Sequence, residues 1–364
     1  IDTLKNPAYR AGALAAICDV NFGEGEWESV VEWSGKLLAA KPQPAQAARG
    51  LYQQGYAQYQ LQQPDQAIAA LAKIAALKAE PLWATRANYL LGECYNLKRQ
   101  YDKAEAAFVA ALPGLTGNDA AECTYRLGMT RFVLEKFKEA AADLSKYLDS
   151  AEDGKHATEA KLYIARAGLE LGEFDTAEPV LKALAAGDGE TGARSSLWLA
   201  RVYTRRDSDY DTAAEVLGGA VSKFKDSSVA NDLRFDYANA LMARGEPDWR
   251  TALELLTAIK SSGKFAQMAE VLSQQAVCQH KLAEYEDSLK SNLAFLADFS
   301  DHPLAADANF MSAENLFQLN RLAEAEKAYA KFNSTNKDHA NAKAAAFRLA
   351  QIRHDRGEWA ECLA

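Results

Sequence analysis

The residue types that perform catalysis or bind metals are scattered through this sequence without the spacing that such chemistry requires. The five histidines are dispersed and lack the spacing of metal ligands. No Gly-rich phosphate loop, no GxSxG nucleophile motif and no HExxH zinc motif occurs. The five cysteines are widely separated and include no CxxC pair, which argues against a zinc site and against a disulfide framework. We therefore expect no catalytic residues, no metal and no cofactor, and the sequence predicts a protein that is not an enzyme.

One acidic segment begins like a calcium-binding loop. Asp207, Asp209 and Asp211 have the alternate spacing of the first ligands in such a loop. The glycine that should come next is absent, and Gly218 stands where the loop would have its bidentate glutamate. The segment is therefore predicted to be an acidic turn rather than a cation site.

A cluster of arginines is a better candidate for binding chemistry. Arg194, Arg201 and Arg205 are spaced seven and four residues apart, so they lie on one face of a predicted helix. Guanidinium groups bind carboxylates through paired hydrogen bonds. In an acidic protein, this cluster is a candidate site for the carboxylates of a partner.

The overall composition limits the kind of partner. Lys and Arg number 41 against 50 Asp and Glu, which gives a net charge of −9. Nucleic-acid binding needs a basic surface, so we expect no nucleic-acid partner. No apolar run approaches the roughly 18–20 residues of a transmembrane helix, so no transmembrane segment is predicted.

Repeated helical hairpins are the elements that must position these residues. A small residue, here called the marker, recurs every 35 to 38 residues, and a second small residue follows most markers after twelve residues. The markers are Cys18, Gly55, Gly92, Gly128, Ala165, Ala200, Ala238, Ala276, Ala313 and Ala350. Two small residues at a fixed offset are expected where two helices approach closely, because larger side chains would separate the backbones. The pattern predicts an all-α solenoid of about ten hairpins with a 37-residue period.

The turns and the ends of the chain complete this organisation. Gly25, Gly172, Gly245, Asn320 and Gly357 occupy the same place in the turn inside the hairpin, where a left-handed residue ends a helix. No long linker interrupts the array, so residues 1–364 are predicted to form one continuous solenoid. Residues 1–6 are expected to be the tail of a preceding repeat or a cap, and residues 343–364 an incomplete last repeat. Such a chain would be a piece of a longer protein, or would pack its end on a neighbour.

The segment Leu91-Gly92…Tyr95…Ala104…Phe108 resembles the tetratricopeptide repeat family, whose pattern is W-x2-L-G-x2-Y followed by Ala and an aromatic residue. The resemblance extends over nearly the whole chain, although the repeat is about three residues longer than the family's and its Trp position is mostly polar. The units are similar to those of bacterial cell-envelope proteins of the Tol–Pal accessory and outer-membrane assembly lipoprotein groups. That likeness implies a periplasmic or envelope location, with the cytoplasm as the alternative. It also implies an α–α superhelix whose first helices line a concave groove for protein recognition.

In that family, groove residues lie six and three positions before the marker and one, four and five positions after it. The aromatic and apolar candidates at these positions are Tyr52, Tyr56, Tyr59, Tyr89, Met129 and Phe132. An extended peptide or apolar side chains would suit such a stretch. The alternative for Tyr52 and Tyr89 is that they pack between adjacent helices.

The charged candidates at groove positions are Arg166, Arg194, Arg201 and Arg205. Glu159 and Glu170 occupy the equivalents of Arg194 and Arg205 one repeat earlier, so ion pairs between repeats are an alternative for those two arginines. Arg166 and Arg201 are then the better candidates for binding a carboxylate of the partner.

Three hypotheses about function follow. The first is a non-catalytic protein–protein interaction scaffold that binds a partner peptide or helix in the groove, with the tyrosines supplying apolar contact and Arg166 and Arg201 fixing the register. The second is a structural unit that self-associates through its ends or its convex face. The third is a docking or regulatory part of a longer multidomain protein.

Overall fold

The computed structural model describes residues 6–77, 80–245 and 247–357. These residues form nineteen α-helices joined by short turns, and they contain no β-strand. The prediction of an all-α helical-repeat fold is thus confirmed. The chain divides into two compact units, Ile1–Val180 (unit 1) and Leu181–Ala364 (unit 2). That the two units form one continuous solenoid stays a prediction.

Unit 1 contains the first four repeats and the larger part of the fifth. Its helices are α1 (Pro7–Glu24), α2 (Trp27–Ala39), α3 (Pro44–Gln60), α4 (Pro64–Leu71), α5 (Pro81–Leu97), α6 (Tyr101–Ala111), α7 (Gly117–Val133), α8 (Phe137–Ser150) and α9 (Ala157–Leu171). Helix α10 (Phe174–Ala185) contains the boundary between the units. Odd-numbered helices are the first helices of their repeats, and α1, α3, α5 and α7 each pack against the even-numbered helix that follows.

Unit 2 repeats the same order of elements. Its helices are α11 (Gly189–Asp207), α12 (Tyr210–Lys223), α13 (Ala230–Ala243), α14 (Trp249–Ser262), α15 (Met268–Lys281), α16 (Tyr285–Asp298), α17 (Ala305–Gln318), α18 (Leu322–Thr335) and α19 (Ala342–Asp355). Helix α19 is the first helix of the tenth repeat. The predicted second helix of that repeat, which includes Cys362, lies outside the described residues.

Proline sets the start of several first helices. Pro7, Pro44 and Pro81 are the first residues of α1, α3 and α5. Proline suits this position because the first amide of a helix has no partner within the helix and the ring fixes φ near its helical value. In α1 the side chain of Asn6 also accepts a hydrogen bond from the amide of Ala8 at 2.9 Å, which caps the helix.

The marker positions are where the two helices of a hairpin approach most closely. At Gly92, an added Cβ would lie 2.5 Å from Cε1 of Phe108 in α6, a distance that real side chains do not adopt. Phe108 is fully buried, as is Ala104, the second small residue of this repeat. Gly55 and Gly128 meet Leu71 and Leu144 in the same way. The predicted close approach is confirmed, and the large side chain sixteen residues after the marker fills the space that glycine leaves.

Left-handed residues end most first helices, but glycine is not required for this. Gly25, Gly172, Asn320 and Gly357 have positive φ, as predicted. The prediction for Gly245 is wrong, because α13 already ends at Ala243 and Arg244 is extended. Equivalent turns instead place non-glycine residues in the left-handed region, namely Gln62, Arg99, Glu135 and Ala283. The packing of the hairpin therefore imposes this conformation on whichever residue stands there.

Candidate functional site

The first helices of neighbouring repeats are joined by polar pairs at one repeated register. The residue directly after one marker contacts the residue two positions before the next marker. The pairs are Asp19–Gln53 at 2.8 Å, Glu93–Arg126 at 3.5 Å, Arg201–Asp236 at 2.7 Å, Asn239–Gln274 at 2.7 Å and Glu314–Arg348 at 3.1 Å. The polar residues of these pairs therefore stabilise the stacking of repeats, and their polar groups are already engaged within the protein.

A cavity of about 310 Å³ lies on the first-helix face of unit 1 and is here called the tyrosine cavity. It is lined by Tyr52, Arg86, Tyr89, Leu115, Asp119 and Glu122. The ring centroid of Tyr52 lies 5.7 Å from that of Trp83, and the ring of Tyr89 meets Phe108 edge-on at 5.8 Å. Burial raises the pKa of both tyrosines, so both hydroxyls stay neutral. Each ring therefore packs between helices on one side, as in the alternative considered above, and lines the cavity on the other.

The charges around the tyrosine cavity differ in how far the protein itself satisfies them. Glu122 lies within 3.1 to 3.3 Å of Arg126, Lys155 and His156. Its burial opposes ionisation, but the hydrogen bond from Lys155 and the nearby positive charges outweigh that effect and lower the pKa of Glu122. Arg86 and Asp119 are both exposed, and neither forms an ion pair within the part of the chain that the structure describes.

A second and larger cavity in unit 1, here called the aromatic cavity, has a volume of about 550 Å³. It is lined by Phe132, Val133, Glu135, Phe137, Tyr163, Arg166 and Glu170. The ring of Phe132 meets those of Phe137 and Tyr163 edge-on, at centroid distances of 5.3 and 4.8 Å. The guanidinium carbon of Arg166 lies 4.8 Å from the centroid of Phe132 and 4.7 Å from that of Tyr163. These distances are typical of cation–π contacts, so the aromatic rings hold the arginine in place.

Unit 2 has a cavity of about 350 Å³ at the equivalent repeat positions, here called the polar cavity. It is lined by Ala200, Arg201, Thr204, Tyr210, Leu217, Asp236, Asn239 and Ala240. Thr204, Asp236 and Asn239 stand where the aromatic cavity has Phe132, Tyr163 and Arg166. Arg201 donates to the carboxylate of Asp236 at 2.7 Å and lies 4.6 Å from the ring centroid of Trp198. The charged groups of this cavity are thus paired within the protein.

The remaining aromatic and apolar candidates are largely engaged in packing. The ring centroid of Tyr56 lies 5.1 Å from that of Phe22 and 5.5 Å from that of Trp27. Tyr59 is half-buried against the core of α3 to α5, and burial raises its pKa. Met129 packs against the core formed by α7, α8 and α9. Among the candidates of unit 1, only Tyr52, Tyr89, Phe132 and Arg166 line one of the two cavities.

The arginine candidates lie in both units. Arg166 belongs to unit 1, whereas Arg194, Arg201 and Arg205 all lie on α11 in unit 2. The pairing of Arg201 with Asp236 was not predicted. Glu159 accepts a hydrogen bond from the hydroxyl of Tyr125 at 2.7 Å. The proposed ion pairs of Arg194 and Arg205 with glutamates of the preceding repeat stay predictions.

Several residues of these cavities were missed by the sequence analysis. Arg86, Asp119, Phe137, Tyr163 and Asp236 all line cavities but were not candidates. Tyr163 and Asp236 stand two positions before a marker, which is not among the family's groove positions. A search for complementary residues 33 to 35 positions apart would have found this register, since every polar pair above has that separation.

The acidic segment and the dispersed histidines do not combine into a metal site in the described residues. Asp209 accepts a hydrogen bond from the amide of Thr212 at 3.0 Å and so caps α12. Within the described ranges, no group of three His, Cys, Asp or Glu side chains has a geometry that could hold a metal ion.

Comparison with known proteins agrees with this architecture. Residues 52–120 and 125–191 match the profile of the tetratricopeptide repeat family. These segments are tetratricopeptide repeats. They contain the whole aromatic cavity and, except for Glu122, the tyrosine cavity. No curated protein matches the sequence.

Two solved structures extend the likeness beyond these segments. A tetratricopeptide repeat protein from Parabacteroides merdae ATCC 43184 is similar with a TM-score of 0.52 and 15% sequence identity, over 73% of this chain and 99% of that chain. The apo form of the quorum sensor NprR from B. thuringiensis has a TM-score of 0.54 and 11% identity, over 90% of this chain and 98% of that chain. At such identities the similarity concerns the fold alone. In the part of the chain that the structure describes, no helix is long and apolar enough to cross a membrane.

Proposed function

We propose that this protein is a non-catalytic interaction scaffold that binds an extended peptide segment of a partner protein on the first-helix face of unit 1. The aromatic cavity is the observation on which the proposal depends. It is larger than the tyrosine cavity, and its walls include rings held in place by their neighbours. The tetratricopeptide repeats supply a rigid support, and a preformed site lowers the entropic cost of binding.

The aromatic cavity is suited to an apolar or aromatic side chain of the partner. Ring faces and edges offer large apolar contact area, and aromatic anchors in such pockets dominate the energy of many interfaces. The four residues of the lining other than the three rings include Val133, which adds exposed apolar surface. An anchor side chain would therefore be enclosed by Phe132, Phe137 and Tyr163.

Arg166 would contribute a polar contact beside this anchor. A guanidinium group has five N–H donors, which can be shared between acceptors within the protein and a carboxylate of the partner. A carboxylate of the partner next to the anchor residue is the acceptor that best matches its geometry. Arg201, which already donates to Asp236, is not part of the proposed site.

Selection and direct binding together test this proposal. The chain would be used to select peptides from a phage-displayed library of random linear sequences, and synthetic versions would be titrated by fluorescence anisotropy. We expect enriched peptides to carry an aromatic residue close to an acidic one. Phe132→Ala should weaken their binding about tenfold or more, and Arg166→Gln about fivefold.

Matched controls separate binding from folding. Val109→Ala and Lys138→Gln alter exposed residues of α6 and α8 that line neither cavity of unit 1. Both should bind the selected peptides like the unaltered chain, and all variants should keep the same helical circular dichroism. Binding that is unchanged in Phe132→Ala and Arg166→Gln would contradict the proposal.

A second function is favoured by a separate feature of unit 2. A cavity of about 290 Å³ between α16, α17 and α18 has apolar residues at six of its twelve lining positions, and one of them, Leu293, is 55% exposed. Self-association through this surface is the corresponding candidate function. It predicts a molar mass that rises with concentration in light scattering and returns to that of the monomer in Leu293→Lys. A constant monomer mass at all concentrations would exclude it.

The resemblance of the repeats to bacterial cell-envelope proteins supports a further part of the proposal, namely action in the envelope. Recovery of the native protein exclusively with the cytosolic fraction of its source cells would contradict this part.

A further inference from the structure

We infer that the tyrosine cavity selects the charge pattern of the bound peptide, taking one acidic and one basic side chain that lie two residues apart. This inference rests on the proposed function, because it concerns the same peptide on the same face of unit 1. The aromatic cavity would supply affinity, and the tyrosine cavity would decide which sequences fit beside the anchor.

The first argument is the presence of two opposite charges at one cavity. Arg86 of α5 and Asp119 of α7 both line the tyrosine cavity, and both are exposed. They do not pair with each other, since no nitrogen–oxygen distance between them is within 4.0 Å, nor does either form an ion pair with any other described residue. The cavity thus presents a cation from α5 and an anion from α7.

The second argument concerns the surroundings of these two groups. The other acid of the cavity, Glu122, is held by Arg126, Lys155 and His156, so its charge is largely compensated within unit 1. Both Arg86 and Asp119 act electrostatically on the half-buried hydroxyl of Tyr52, in accord with their places in the lining of the same cavity. Tyr52 and Tyr89 add apolar surface to this cavity, where contact with a ligand would exclude water and strengthen both interactions.

The third argument is the geometry of an extended chain. Side chains two residues apart point to the same side of such a chain, about 7 Å from each other. A peptide segment can therefore direct an acidic side chain to Arg86 and a basic one to Asp119 from the same side. A cavity of about 310 Å³ is at the lower end of small-molecule sites, which suits two side-chain ends better than a folded element.

Four synthetic peptide mixtures test the inference. Each is blocked at both termini, carries an aromatic anchor, and has Glu-X-Lys, Lys-X-Glu, Gln-X-Lys or Glu-X-Gln at a fixed position beside it. Binding to the whole chain would be measured by fluorescence anisotropy. We expect one of the two opposite-charge orders to bind about fivefold to tenfold more tightly than either glutamine mixture, with the preference decreasing as salt is added.

Charge reversal in the protein provides the decisive comparison. Arg86→Glu and Asp119→Lys should each abolish the preference, and the double variant should prefer the opposite order of charges. The matched controls Lys138→Glu and Asp102→Lys change the same charges at exposed positions of α8 and α6, outside the cavities, and should leave the preference unaltered. All four altered positions are exposed, and helical circular dichroism verifies folding.

The outcomes separate this inference from the proposed function. If the mixtures bind and Phe132→Ala weakens them, but the Arg86 and Asp119 variants change no affinity by more than about twofold, the inference is overturned and the proposed function stands. If no mixture binds, or if Phe132→Ala has no effect, both fail. Equal or tighter binding of free zwitterionic amino acids, with the same dependence on Arg86 and Asp119, would also overturn the inference, because the cavity would then be a small-molecule site.

Discussion

The aromatic cavity of unit 1 and the polar cavity of unit 2 occupy the same repeat positions but differ in what their side chains leave available. Both lie between the first helices of two successive repeats and include the aromatic residue that opens a second helix, Phe137 or Tyr210. In unit 2, Asp236 binds Arg201 directly at 2.7 Å. In unit 1, the equivalent position is Tyr163, whose ring packs against Phe132 and Arg166.

This difference shows how the same repeat position can form either an internal ion pair or an aromatic wall of a cavity. A carboxylate two positions before the marker pairs with an arginine of the preceding helix and satisfies both charges inside the protein. An aromatic ring at that position needs no ionic partner, and it forms one wall of an open pocket. The identity of one residue therefore decides whether this position contributes an internal ion pair or an aromatic wall, and we propose that the aromatic form binds a partner.

The largest expected effect tests whether the two units share the same hairpin. Gly92→Ala should lower the free energy of unfolding by about 1–3 kcal/mol, because the new Cβ would lie 2.5 Å from the ring of the buried Phe108. At the equivalent marker of unit 2, Ala238→Gly should cost about 1 kcal/mol through helix propensity. Urea denaturation of both variants measures these values. A stabilising Gly92→Ala would show that the close approach at this marker is not required.

The second prediction concerns the turns inside the hairpins. Arg99→Gly should stabilise the protein by about 1 kcal/mol, because Arg99 has φ of 56° and glycine adopts this conformation without strain. Gly172→Ala should cost a similar amount at the same place of another repeat, where φ is 78°. Thermal unfolding of the two variants checks the signs. Opposite signs would indicate that side-chain contacts, rather than backbone conformation, determine the stability of the turn.

The third prediction tests the internal pairing of the polar cavity. Asp236→Asn should lower the free energy of unfolding by about 0.5–1 kcal/mol, since the pair with Arg201 is only partly buried. Lys290→Gln, which removes a more exposed ion pair with Asp287, should cost less than about 0.5 kcal/mol. Both are measured by denaturant titration at low salt. Equal values for the two variants would mean that the pairing within the polar cavity has no special importance.

The smallest expected effect concerns the same register with reversed charges in unit 1. Burial raises the pKa of Glu93 although Arg126 lies 3.5 Å away, so the folded state disfavours the ionised carboxylate. Below the pKa of the unfolded state, near 4.5, Glu93 is protonated in both states and does not affect stability. As the pH rises through the raised pKa of the folded state, ionised Glu93 destabilises the protein increasingly. Glu93→Gln should therefore stabilise the protein by about a few tenths of a kcal/mol at pH 7, because ion pairs of this kind contribute only modestly to the free energy of unfolding.

Measurement of this variant across pH completes the test. The advantage of Glu93→Gln over the unaltered chain should disappear as the pH falls to about 4. An advantage that grows on acidification would contradict the raised pKa.

The repeat pattern was sufficient to predict the fold, but it was not sufficient to locate the sites. Small residues such as Gly92 and Ala104 recur at fixed offsets because the close approach of two helices excludes larger ones, so the sequence records that contact directly. The left-handed turn at Arg99 cannot be predicted from the residue type, because the packing of the hairpin imposes this backbone conformation on a residue that rarely adopts it. Local propensity correctly placed glycine turns at Gly25 and Gly172 but failed at Gly245.

The sites were harder to predict because they depend on the register between neighbouring helices. Tyr163 and Asp236 are separated in sequence from the residues they contact on the preceding first helix by about one repeat, and no local pattern relates them. Phe132 and Arg166 were recognised because the family's groove positions include them. Tyr56 and Met129 fulfil the same rule and yet pack into the structure, since neighbouring side chains decide which groove residues remain accessible.

The central claim is that the aromatic cavity, and not its polar equivalent, is the anchor site for a partner peptide. Exchange of the distinguishing residues tests it, with Phe132→Thr/Tyr163→Asp in unit 1 compared with Thr204→Phe/Asp236→Tyr in unit 2. The measurement is the dissociation constant of a peptide selected with the unaltered chain, by fluorescence anisotropy. We predict that the first double variant weakens binding roughly thirtyfold or more, and that the second leaves it within about twofold. Weaker binding in the second variant alone, or an equal loss in both, would contradict the account.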